Sequence, residues 1–128
     1  MQEEVKLKYL SYTLYVFGAV FIVGIYIMMR WIFPSGFGWT PAQPEYEHMI
    51  VGVYATLGIF LILAAKDPLA HSSLIWFTIW SSVVHALIML GHAIVDETEQ
   101  MHLVGDIPAL FLVAIVLAYL MPRKKAAD

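Results

Sequence analysis

The sequence contains no cysteine and no asparagine. Without cysteine there are no disulfides, no thiolate metal ligands, no thiolate-held iron–sulfur cluster and no c-type haem attachment. Without asparagine there is no N-glycosylation acceptor. Charge is scarce as well. Only 13% of the 128 residues are charged, against about 25% in a soluble domain. Basic residues interleaved with aromatics are absent, which argues against nucleic-acid binding. Nor is there an internal repeat or a Ser/His/Asp signature for nucleophilic hydrolysis.

What fills the chain instead is apolar, at 61% of residues. A soluble core of this size could not hide that much apolar surface, so lipid is the expected solvent. The chain is uncharged from Tyr9 to Met29 and from Met49 to Ala65, each long enough to cross a bilayer. The first run is too long for a signal peptide and lacks an Ala-x-Ala-like end. Two more spans flank Asp96-Glu97-Thr98. The expectation is a single all-α domain over 1–128, an integral membrane four-helix antiparallel bundle. Its helices are expected at about 9–33, 45–66, 72–95 and 99–121. Between the first two, residues 34–46 hold three prolines and two glycines, so they read as a loop able to fold over the bundle mouth. Pro108 either kinks the fourth helix or leaves its regular part to start near Gly105.

Lys6, Lys8, Lys66, Arg123, Lys124 and Lys125 fall on one side of such a bundle, and Arg30 alone on the other. This bias places both termini in the cytoplasm. The non-cytoplasmic mouth then collects Glu45, Glu47, His48, His92, Asp96, Glu97, Glu99, His102 and Asp106. His85 lies deeper, about 16 Å below Asp96 at 1.5 Å per residue.

The spacing of these groups carries the functional reading. His85, His92 and Asp96 are spaced i, i+7, i+11, one stripe of a helix. Glu99, His102 and Asp106 follow at i, i+3, i+7. Ionisable groups are costly inside a span and are functional hypotheses by default. Glu45-x-x-His48 and Glu99-x-x-His102 match the Glu-x-x-His pattern of di-iron bundles, although the first helix supplies no carboxylate to complete it. A metal set of Glu45, Glu47, His48, His92, Asp96, Glu99, His102 and Asp106 is the candidate, and without thiolate it suits zinc, iron, manganese or copper(II). The alternative set for an organic ligand is His85, His92, Asp96 and Arg30. A quinone would add the aromatic edge of Trp31, Trp39 and Tyr46. Two-histidine haem ligation is disfavoured, because His85 is the one deep histidine.

Ordinary chemistry competes with every one of these. Acidic residues favour helix starts, which covers Glu45 and Glu47. Asp96 with Glu99 reads as a capping box. For His85, a hydrogen bond to a Tyr or Ser of a neighbouring helix is the simpler reading. Gly18, Gly24, Gly52, Gly58 and Gly91 mark close approach, either within the bundle or to a partner.

The segments EYEHMIVGVYATLGIFLILAAKDP and GHAIVDETEQMHLVGDIPAL, with the length and four spans, give the chain a build that resembles small bacterial four-helix membrane proteins, the DoxX-like families and uncharacterised relatives among them. That resemblance implies the bacterial inner membrane and carries over no site residue. The expectation is thus a membrane protein that binds a small ligand, a quinone or a metal at the non-cytoplasmic mouth. The competing expectation is a non-catalytic accessory subunit of a larger membrane complex, or a homo-oligomer. Whether the chain is an enzyme is left open.

Overall fold

The computed structural model describes residues 2–38 and 44–122. Those residues are helical, with no strand among them. Four helices are long and apolar enough to cross a membrane, at Glu3–Ile32, Pro44–Ala65, Pro68–Val95 and Glu97–Leu120. This is the build of a multi-pass membrane protein.

The first helix begins earlier than its apolar run, because Glu3 and Glu4 favour a helix start. It is not uniform. Two five-residue stretches, Val20–Gly24 and Met28–Ile32, are π-helical. The second helix, Pro44–Ala65, has proline at its start and Glu45 and Glu47 in its first turn. Asp67 and Pro68 end it and open a 3₁₀ turn, Pro68–His71. That turn leads into the third helix, Ser72–Val95.

The fourth span divides in two. Glu97–Val104 is a 3₁₀ helix, and the regular α-helix runs from Asp106 to Leu120. So the regular part of the span starts just after Gly105 rather than being kinked at Pro108. Pro108 sits in the first turn of that helix, where its missing N–H is not needed.

The helices pack as two pairs, first with second and third with fourth, and the first also meets the fourth. The second and third touch along little of their length. One apolar core, built on Leu10, Leu14, Phe21, Leu61, Ile75 and Leu117, joins all four. Gly18 and Gly58 let the first two backbones meet. A Cβ on Gly18 would stand 2.7 Å from the Gly58 carbonyl, and one on Gly58 would stand 2.5 Å from that of Gly18. Gly24 has only its own helix beside it, and Gly52 and Gly91 face open space.

At one end of the bundle Ser11 donates to the Ala65 carbonyl, and the Lys6 ammonium lies over the Tyr119 ring. At the other end a short helix, Pro34–Phe37, packs on the 3₁₀ segment Glu97–Val104. There Gly36 and Gly105 meet so closely that a Cβ on Gly105 would fall on the Gly36 backbone. The loop expected to cover the mouth does so over Pro34–Phe37. Trp39 lies outside the described residues, as do Arg123, Lys124 and Lys125.

Candidate functional site

The site begins with how the 3₁₀ segment is started. Asp96 accepts from the Thr98 backbone N–H at 3.0 Å and from its hydroxyl at 2.7 Å. These two bonds, the hydroxyl's above all, hold the Asp96 carboxyl below the usual carboxylate range. Capping therefore runs through Thr98, and the Glu99 side chain is not needed for a capping box. A 3₁₀ helix has three residues per turn, so residues i and i+3 eclipse. Glu99 and His102 therefore stand over one another, both turned inward and buried.

One turn on, Asp106 opens the α-helix, where the helix N-terminus favours a carboxylate. His102 lies between the two acids. Its Nδ1 is 2.7 Å from Asp106 Oδ1, and its Nε2 is 2.8 Å from Glu99 Oε2. The Asp106 contact is an aligned hydrogen bond. The Glu99 contact is close but off the N–H line, and so acts as an ion pair. The Gly38 backbone also reaches the imidazole. His102 is 1% exposed, so this is a closed polar cluster in an apolar surround.

Deeper in the bundle, His85 Nδ1 is 2.6 Å from the Tyr54 hydroxyl. Tyr54 is held in turn by Phe21, edge to face at 5.1 Å between ring centroids. This bond joins the second and third helices, which otherwise scarcely touch.

The cluster and the Tyr54–His85 pair look into one cavity of about 160 Å³. Its polar side chains are Glu47, Tyr54, His85, His102 and Asp106. The rest of the wall is apolar, with Phe21, Met28, Met89, Leu110 and Val113 among it. The first helix turns π-helical where it borders this space, at Val20, Phe21 and Gly24 and again at Met28 and Met29. Such bulges recur at functional sites, since an extra residue per turn re-aims side chains. A cavity of this size holds a single ring or a comparable apolar group.

The expected residues divide accordingly. His85, His102, Asp106 and Glu47 share the cavity, and Glu99 backs it through His102. Arg30, Glu47 and His48 border a second hollow of about 290 Å³ beside Tyr26 and Met29. Glu45, His92 and Asp96 are exposed and line neither space. His92 and Asp96 lie near enough for their charges to interact, but the His85–His92–Asp96 stripe contributes only its deep end to the cavity. Its other two members are exposed although Ala93 between them is buried, so they lie off the packed face of the third helix. Trp31 and Tyr46 are exposed, as interfacial aromatics would be. Among the described residues no three histidine or carboxylate groups are arranged to hold a metal ion. Tyr54 is the site residue the sequence reading did not name. The expectation of a Tyr or Ser partner for His85 was sound, but only packing could choose which.

The features that define the chain are thus four membrane-length helices around an apolar cavity edged with imidazoles and carboxylates. The chain belongs to the DUF6632 family, a family of unknown function whose model matches residues 5–127. No match to the DoxX-like proteins was found. No curated protein and no solved structure matches the chain.

Proposed function

We propose that this protein is a membrane binding protein that holds a small lipid-soluble ring compound, of the quinone class, in the cavity between Tyr54–His85 and His102–Asp106. The observation that carries this reading is the composition of the wall. Ligand sites are mostly apolar with a few convergent polar groups, and here five hydrogen-bonding side chains from three helices meet in one apolar space. A metal is supported less well. Both His102 nitrogens face carboxylates rather than a shared point.

With lysine and arginine as the guide, both termini lie in the cytoplasm, and the Glu99–His102–Asp106 cluster lies toward the non-cytoplasmic face of a bacterial inner membrane. The helices then run antiparallel. The ligand would reach the cavity from the bilayer.

Purification in mild detergent tests this. The lipid extract of the pure protein should hold a quinone-class compound in near-stoichiometric amount, and His85→Leu should lower that amount several-fold. The reading fails if the extract holds none and short-chain quinone-class compounds do not bind. Metal analysis of the protein purified without chelator should find less than one ion per chain.

A further inference from the structure

The cavity has two polar poles, and counting their protons says what kind of head group fits. The Glu99–His102–Asp106 cluster has two short contacts, each needing one proton between its partners. A bare ring nitrogen facing a carboxylate oxygen at 2.8 Å would be repelled. The two protons can be placed in more than one way. In each of them the second oxygen of Asp106 is left with lone pairs only, either as carboxylate or as carbonyl oxygen. His102 offers the cavity no donor, since Nδ1 is bonded to Asp106 and Nε2 is buried against Glu99. Glu47, on the facing helix, is a further carboxylate on the same wall.

The other pole behaves oppositely. Neutral Tyr54 and neutral His85 carry two ionisable protons between them. One lies in the bond between the Tyr54 oxygen and His85 Nδ1. The other remains on His85 Nε2 or on the phenol, as a donor. The remaining side chains of the wall are apolar, with methionine thioethers as the nearest to polar. One end of the cavity therefore donates a hydrogen bond, and the other can only accept.

From this we infer that the cavity selects a ligand whose head group brings its own donor, namely a hydroxylated aromatic ring of the quinol class, over its oxidised dicarbonyl counterpart. The inference rests on the cavity being a ligand site, and it names the form that site takes. A quinol can give one hydroxyl proton to Asp106 and accept at its other oxygen from the Tyr54–His85 pair. A quinone has two acceptors. It satisfies the deep pole, but sets a carbonyl oxygen against the Asp106 oxygen. A site left with an unmatched buried polar group rejects the mismatched analogue strongly.

The test is calorimetric titration of the unaltered full chain in lipid nanodiscs, under nitrogen, with a short-chain alkyl benzoquinol and with the matching benzoquinone. The expected result is tighter binding of the quinol, on the order of tenfold to a hundredfold. In Asp106→Asn, whose amide can turn its donor inward, the preference should shrink to about twofold or less. The main comparison needs no variant, so a misfolded Asp106→Asn protein leaves it standing. Equal binding, or tighter binding of the quinone, overturns the inference while the ligand-site reading survives. Binding of neither compound overturns both. Displacement of bound quinol by an equal concentration of octylamine also overturns it, in favour of a cation site.

Discussion

His102 holds two carboxylates that would otherwise face each other across apolar space. Removing it by His102→Leu should cost about 3 kcal/mol, because a buried ion pair broken from one side leaves uncompensated charge. His102→Gln keeps a donor and should cost less than half as much. Thermal unfolding in detergent checks both. Tyr54→Phe removes only a hydroxyl and should cost about 1 kcal/mol, with a larger loss of ligand affinity. Asp96 gives a pH prediction. Its carboxyl is held low by Thr98, so the cap stabilises the fold above the ordinary carboxylate range and fades as pH falls through the lowered value. Thr98→Val should move the Asp96 titration, followed by carbon-13 NMR, back up toward the ordinary range. These roles were partly legible in the sequence. Rarity of charge singled out His85, His102 and Asp106. Burial, which no spacing rule supplies, separated them from His92 and Asp96.

The helices were easy to find and their edges were not. Lipid demands long uncharged runs, so the four spans stand out from composition alone. The 3₁₀ segment from Glu97 to Val104 did not, because its residues fit an α-helix equally well on paper. Yet the difference decides the site, since Glu99 aligns with His102 more closely at three residues per turn than at 3.6. The π-helical stretches of the first helix were likewise silent, as apolar residues suit either winding. Glycine was read too evenly. Gly58→Ala should push the first two helices apart and cost about 1–3 kcal/mol, whereas Gly52→Ala and Gly91→Ala, which meet open space, should stay within about 0.5 kcal/mol. Melting temperatures of the three variants form the comparison, and equal losses would show that the Gly18–Gly58 contact does not set the spacing.

The absence of cysteine gives the whole molecule a clean background for labelling. Leu69→Cys, in the exposed turn after the second helix, should react with impermeant maleimide only in inverted vesicles. Glu97→Cys should react only in right-side-out ones. The reverse pattern would turn the bundle over and put the His102 cluster on the cytoplasmic side. Whole-chain charge bias makes this prediction available, because it sums many weak signals. The same kind of sum says nothing of the cavity, whose walls come from every helix and exist only once they pack.

Mechanically, a bundle of two tight pairs with a sparse contact between the second and third helices is a book with a weak fore-edge. The spine is the contact of the first helix with the fourth. The Tyr54–His85 bond is then a clasp, a side-chain bridge across the edge that the backbones leave loose. Local opening should be cheapest along that line. Undoing the clasp with Tyr54→Phe should speed amide exchange around Tyr54 and His85 by more than it does at Leu14 or Leu117, beside the spine.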